Sequence, residues 1–184
     1  MTTAFDEVLH ADRVTRLGVG DTTRPIRVVH GLDGIRTDVA AEQVLATGRS
    51  LWKRWCEHPA YRPHDLLLGL DAGGIVPTIA VAWASGSQYR LAWKVNLDLP
   101  GKLVFHEPHA RRLEVFAYGD FEGLRVLIVD DEITTGLTLA NLVEALRAAG
   151  ADITGALCLV EDTAGEGRQL LERNGVPLCV LTTL

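Results

Sequence analysis

The chain is poor in the residues that staple or anchor a fold. Of its 184 residues only Cys56, Cys158 and Cys179 are cysteines, and they lie far apart. They make no CxxC pair and no Cys/His metal spacing. A disulfide framework and a zinc site are therefore not expected, and reduced, mostly buried thiols are. No run approaches the ~18 apolar residues of a membrane-spanning helix. The N-terminal stretch MTTAFDEVLHADR is acidic and lacks a positive region followed by an apolar one. It does not read as a signal peptide, and a cytoplasmic location is expected. Positive charge is also scarce, with 18 Lys and Arg against 24 Asp and Glu, a net charge of -6. That argues against a nucleic-acid grip built on bulk charge, while leaving room for a local basic pocket. There is no internal repeat and no low-complexity segment. The GxxxxGK[ST] pattern of a nucleoside-triphosphate loop is missing too.

Apolar residues make up 47% of the sequence, enough for a sizeable core in one domain. The first 35 residues are irregular apart from a β-like piece at Ile26 to Val29. A helix is predicted from Thr37 or Asp38, either of which could cap it. Val44, Leu45, Leu51, Trp52 and Trp55 fall on one stripe of that helix. Leu66-Leu67-Leu68 is a continuous apolar run, as in a strand covered on both faces. The helical segment IVPTIAVAWA follows, then a strand YRLAWKV. Asn96 to Ala117 is a connection of roughly twenty residues with poor periodicity, long enough to suggest a functional loop. RVLIV, ITGALCLV and PLCVLTTL read as further strands, separated by the helices LTLANLVEALRAAG and GRQLLERNG. Strands alternating with helices predict an α/β fold, a parallel sheet flanked by helices. Ligands of such sheets sit at the carboxyl ends of the strands. Asp71-Ala72-Gly73-Gly74 and Asp130-Asp131 both fall at such ends.

The stretch RVLIVDDEITTGLT, residues 125–138, can be read in two ways. An apolar strand ending in acids resembles the opening strand of a phosphate-receiving signalling domain. That fold needs its acidic pair on the first strand, whereas here several strands precede it and only 54 residues follow Asp130. The second half fits better. Thr134, Thr135, Gly136, Leu137 and Thr138 lie between a strand end and a helix start. Backbone N–H groups and three hydroxyls there would hold a phosphate monoester at the positive end of a helix. Gly136 permits a tight approach. An ordinary threonine-capped turn would explain one threonine and the glycine, but not two acids directly before three hydroxyls. Asp130 and Asp131 would repel a phosphate that touched them. They suit a sugar 5-phosphate, whose ribose hydroxyls they could accept while the phosphate enters the loop.

VLIVDDEITTGLT resembles the phosphoribosyl-diphosphate motif of the type I phosphoribosyltransferases. LGLDAGGIVPTIAVA independently resembles that family's diphosphate loop. GLDAGGI, VDDEITTG and GVPLCVLTTL are most similar to the orotate branch. The resemblance runs from Leu66 to Leu184 and is thin before it. It implies one domain over 1–184, with a core over 37–184 and a small N-terminal hood drawn partly from 1–36 that holds the base. It also implies Mg²⁺, phosphoribosyl diphosphate and a nucleobase-like acceptor as ligands, and a homodimer. Neither nucleic acid nor a membrane is implied.

In such an enzyme a base nitrogen attacks C1 of the ribose through an oxocarbenium-like transition state, and diphosphate leaves. The resemblance assigns diphosphate to Asp71, Ala72, Gly73 and Gly74, often around a cis Asp71-Ala72 peptide. It assigns ribose, and Mg²⁺ indirectly through hydroxyls or water, to Asp130 and Asp131, with Glu132 beside them. Lys94 stands where the family places a basic residue that meets diphosphate, although a solvated strand-end lysine reads equally well. The segment from Asn96 to Ala117 becomes the lid, with Lys102 its candidate lysine and His109 a candidate diphosphate contact. Orotate enzymes carry an arginine just after the fourth strand. Here Glu161-Asp162 stand there, and the nearest arginine is Arg168. An acid would repel orotate, so another base is expected. Asp162 could accept an amino or ring N–H group of that base, or could simply cap a helix. A silent phosphoribosyl-diphosphate or nucleotide sensor is the alternative function.

Overall fold

All five residues of β3 (Leu66–Leu70) are buried, and their side chains alternate between the two faces of a sheet. Leu66, Leu68 and Leu70 join one apolar cluster, while Leu67 joins the other. A strand covered on both sides needs no polar alternation, which is why its sequence is continuously apolar. This computed structural model describes residues 9–17, 26–108 and 113–184. Its centre is a five-stranded parallel sheet in the order β4-β3-β7-β8-β9, formed by β3, β4 (Tyr89–Ala92), β7 (Arg125–Ile133), β8 (Asp152–Glu161) and β9 (Leu178–Thr183).

One face is covered by α1 (Ala41–Cys56) and α2 (Ile75–Ser85), through Leu51, Trp55, Val81 and Ala82. Trp55 is fully buried, and a Cβ at Gly155 would come within 2.5 Å of its ring, so β8 is bare there to admit the indole. Truncating such a side chain to alanine costs about 3–5 kcal/mol. The other face is covered by α3 (Leu137–Ala148) and α4 (Gly167–Arg173), through Leu139, Leu142, Val143, Leu146 and Leu171.

Two antiparallel hairpins stand outside the sheet. β1 (Ala11–Thr15) pairs with β2 (Ile26–His30), and β5 (Leu103–His106) pairs with β6 (Glu114–Ala117). The chain leaves β3 towards β4 on one side and leaves β7 towards β8 on the other. The order thus reverses between β3 and β7, the position where such sheets open a crevice.

Several local expectations are corrected. The first helix begins at Ala41 after an Ala40 that offers no side-chain cap, so neither Thr37 nor Asp38 starts it. The strand expected over YRLAWKV stops at Ala92, and Lys94 lies beyond it. β7 runs on through Asp130, Asp131 and Glu132, because Asp130, Glu132 and Ile133 still pair with β8. Ala11–Thr15 is a strand that its polar sequence hid. Asn96 to Ala117 is no structureless loop: Leu103, Phe105, Val115 and Ala117 anchor β5 and β6 in the core. Cys56 is exposed, while Cys158 and Cys179 are buried, and all three are free thiols. Among the described residues no helix is long and apolar enough to cross a membrane.

Candidate active site

A cleft of about 310 Å³ opens at the carboxyl ends of β3 and β7. Its walls include Asp71, Ala72 and Gly73 after β3, Asp130 to Ile133 on β7, and Thr134 to Thr138 leading into α3. Lys94 also lines it. The two motifs singled out in the sequence therefore form one cavity.

They also touch. A Cβ on Gly73 would overlap the carboxylate of Asp131, and one on Gly74 would lie 2.7 Å from the Leu70 carbonyl oxygen and 2.9 Å from Asp130 Oδ1. Two glycines are thus required by the close approach of a backbone turn to an acid pair. The Asp71-Ala72 peptide within that turn is cis. Asp71 is fixed from both ends: its N–H donates to the Ala92 carbonyl at 2.9 Å, and its Oδ2 accepts the Lys94 N–H at 3.3 Å.

Thr134 to Thr138 wrap the start of α3. Gly136 holds φ +72°, and a Cβ there would come within 2.8 Å of Gly167 Cα. The first amides of α3 have no partner within the helix and lie at its positive end. The Leu137 N–H is 3.5 Å from Thr135 Oγ1, a long contact that an incoming oxyanion could replace.

The two acids are electrostatically unequal. Burial, and then the neighbouring Asp131 charge, hold Asp130 well above the usual carboxylate range. Burial also pushes Asp131 up, but the nearness of His30, then Asp130 and the Arg27 charge, outweigh it and hold Asp131 low. Of the pair, Asp130 thus favours the proton and Asp131 the charge.

Three cleft residues, and a fourth packed beside Asp131, have no local sequence signature. Arg16 and Arg27, from the first hairpin, line the cavity, as does Glu107 just past β5. His30, at the end of β2, lies with Nε2 3.7 Å from Asp131 Oδ2. They are brought in by tertiary packing alone. The β-like run Ile26 to Val29 marks the strand that carries Arg27 and His30, but not what that strand faces.

Other expected residues lie elsewhere. Lys102 donates to Asn96 Oδ1 at 2.9 Å and borders a separate hollow with Ala145 and Ala148. Asp162 lies outside the cleft lining, and its Oδ1 accepts Arg13 Nη2 at 2.6 Å and the Ala164 N–H at 3.0 Å. Glu161 is held by Arg168, with Nε at 2.8 Å from Oε1. His109 lies outside the described residues.

Residues 42–174 match the phosphoribosyl transferase domain family. The xanthine phosphoribosyltransferase of Chloroflexus aurantiacus is 31% identical over 181 residues, covering 95% of this chain and 82% of that protein. The chain belongs to the phosphoribosyltransferase family. It is an enzyme of that class. The hypoxanthine/guanine phosphoribosyltransferase of Methanocella arvoryzae is 30% identical over 121 residues, covering 65% of this chain and 62% of that protein. The adenine phosphoribosyltransferase structure from Thermoanaerobacter pseudethanolicus shares the fold, with TM-score 0.71, 19% identity and 98% coverage of both chains. The orotate phosphoribosyltransferase of Mycobacterium tuberculosis also superposes, with TM-score 0.56, 18% identity, and 84% and 78% coverage. The type I phosphoribosyltransferase fold expected from the motifs is thus the fold found.

Proposed function

We propose that this phosphoribosyltransferase moves the phosphoribosyl group of phosphoribosyl diphosphate to a purine-like acceptor rather than orotate, releasing diphosphate. One observation carries the reading. The turn Asp71 to Gly74, the acid pair Asp130-Asp131 and the threonine turn before α3 share one cleft, with glycines pressed against the acids. A 5-phosphate at Thr134 to Thr138 and a diphosphate at Ala72 to Gly74 would place a ribose over Asp131. A purine acceptor is supported by relatives named for xanthine and for hypoxanthine and guanine.

The acceptor nitrogen attacks C1 while the bond to diphosphate breaks. Ionised Asp131 accepts a ribose hydroxyl and favours the positive charge growing on the sugar. Lys94 and the backbone amides of Ala72 to Gly74 meet the charge gathering on diphosphate. Glu132 serves the hood, since its Oε2 accepts the Val28 N–H at 3.2 Å. The hairpin β1-β2 is the hood, with Arg16 and Arg27 facing the cleft where a base would lie. An acceptor reaching Asp162 would have to share it with Arg13. The segment from Asn96 to Ala117 would close as the lid, with Lys102 its less favoured cation.

Among the described residues no group of three or more metal-ligating side chains forms. That fits a magnesium ion that arrives with its substrate, bound chiefly by phosphate and water oxygens. Asp130 and Asp131 would hold it indirectly, and when bound it would neutralise diphosphate charge.

The protein would act in the cytoplasm as a homodimer. Val76, Ile79 and Trp83 present an exposed apolar stripe on α2 that suits a second copy.

The test incubates the protein with phosphoribosyl diphosphate, Mg²⁺ and single bases, following diphosphate release. Release with a purine and not with orotate is expected. Binding without release under every base would overturn the reading in favour of a silent sensor.

A further inference from the structure

We propose that His30 is a positioning residue, which orients the Asp131 carboxylate for the ribose and so couples the hood to the sugar site. This inference rests on the ribose role of Asp131 given above.

The ring of His30 is almost wholly buried, with its side chain 3% exposed. Its surroundings fix its tautomer. The Leu32 N–H donates to His30 Nδ1 at 3.2 Å. A ring nitrogen that accepts a hydrogen bond carries no proton, so the neutral imidazole holds its proton on Nε2. The backbone is fixed as well: the His30 N–H donates to Asp33 Oδ2 at 2.9 Å, and the Ile35 N–H to Asp33 Oδ1 at 2.8 Å. The ring therefore cannot flip without breaking the turn that ends β2.

Nε2 is buried and has no hydrogen-bond partner among the described residues. A buried donor left unmade costs about 1–3 kcal/mol, so such an atom calls for a reason. The facing acceptor is Asp131 Oδ2, at 3.7 Å. A movement of roughly 0.8 Å would bring the pair to ordinary hydrogen-bond length. Asp131 is itself confined on another side by Gly73, whose added Cβ would overlap its carboxylate. With Oδ2 turned to His30, Oδ1 is left for a ribose hydroxyl. A small inward movement of the hood over a bound base would then tighten the grip on the sugar.

Two substitutions separate this role from a merely structural one. His30→Asn keeps an acceptor near the Nδ1 position, and with it the turn, but has no donor at Nε2. His30→Gln places an amide donor near Nε2 and gives up the Nδ1 acceptor. The expected result for His30→Asn is a KM for phosphoribosyl diphosphate raised about tenfold, with the acceptor KM and the melting temperature close to wild type. His30→Gln should recover most of the lost KM although its turn is weaker. In an Asp131→Asn background, His30→Asn should add nothing further. An unchanged KM in His30→Asn would overturn the proposal. So would a parallel loss of both KM values and melting temperature in the two variants.

Calorimetric binding of phosphoribosyl diphosphate without acceptor keeps this test separate from the one above. If wild type binds the donor yet releases no diphosphate with any base, the transfer reading fails. The affinity ratio then still decides the role of His30: about tenfold weaker in His30→Asn upholds it, and equal affinity overturns it.

Discussion

Lys94 Nζ lies 2.8 Å from Glu107 Oε2, joining the segment after β4 to the segment after β5 across the cleft. Both residues line the cavity. The pair is half-buried, and its attraction is neither negligible nor large. If Lys94 meets diphosphate as proposed, the diphosphate would compete with this ion pair. Glu107→Gln removes the competing charge and should tighten inorganic diphosphate binding by roughly 3- to 10-fold, about 0.7–1.4 kcal/mol. Titration calorimetry of both proteins checks this. Weaker binding in the variant would mean that Glu107 positions Lys94 rather than occupying it.

The unequal acid pair leads to unequal mutants. Asp131 is pushed towards the charged form and Asp130 towards the protonated one. An asparagine resembles a protonated aspartic acid in shape and in its ability to donate. Asp130→Asn should therefore keep kcat/KM within about tenfold of wild type. Asp131→Asn removes the charge facing the sugar and should lose at least about a hundredfold, roughly 2.7 kcal/mol of transition-state stabilisation. Steady-state kinetics on the two variants decides it, and equal losses would contradict the asymmetry.

The same asymmetry shows where sequence reasoning stops. The parallel sheet, its helices and the two loops were legible because each is a local signal: a continuous apolar run, a helical stripe, a glycine beside acids. The contact of Gly73 with Asp131 was not legible in itself, though the glycine was marked as functional. β5 was missed because four residues alternating between core and solvent, Leu103 to His106, are too short to stand out. β1 was missed because its partner and not its composition makes it a strand. Arg16, Arg27 and Glu107 reach the cleft, and His30 reaches Asp131, from segments with no motif, so only the folded chain could reveal them. Asp162 was read as a base contact or a cap, and its guanidinium partner lies 149 positions away in sequence.

Gly73→Ala tests the packing of the diphosphate turn on the acid pair. The new methyl would overlap the Asp131 carboxylate, so either the turn or the acid must shift. Overpacking of this kind costs typically about 1–3 kcal/mol of stability. The variant should melt several degrees lower and lose more than about a hundredfold in kcat/KM, because the shift falls on both substrate groups at once. A variant as active as wild type would show that the turn moves freely, and that its nearness to Asp131 is incidental.

His64 gives a pH dependence of stability. Its Nε2 lies 2.8 Å from Ser87 Oγ, and its ring meets Trp52 edge-on at 5.5 Å. Burial pushes its pKa below the ordinary histidine value, with Asp65 opposing and Arg125 adding to the shift. The folded state thus favours the neutral ring. Above about pH 6.5 both states are neutral and this contribution is fully present. As pH falls through about 6.5 the unfolded chain binds the proton first, and stability is lost until the folded ring also protonates. His64→Phe keeps the ring packing and cannot titrate. Between about pH 7.5 and 5.5 the melting temperature of wild type should fall more than that of the variant. Parallel curves would remove His64 as the source.

The exposed stripe on α2 bears on assembly. Val76, Ile79 and Trp83 are 37%, 44% and 58% exposed, and their spacing puts them on one side of the helix. Arg49 of α1 sits 5.4 Å above the Trp83 ring, which leaves the indole held in place rather than loose on the surface. An ordered tryptophan flanked by two aliphatic side chains is the composition of an interface centre rather than of open surface. A second copy of the chain would bury it by a two-fold arrangement, in which the same stripe faces itself. Trp83→Glu places a charge at that centre, and pairing it with its own copy costs several kcal/mol. Sedimentation should show wild type as a dimer and the variant as a monomer, with the far-ultraviolet spectrum unchanged. A wild-type monomer at every concentration, or a variant still dimeric, would move the interface elsewhere on the molecule.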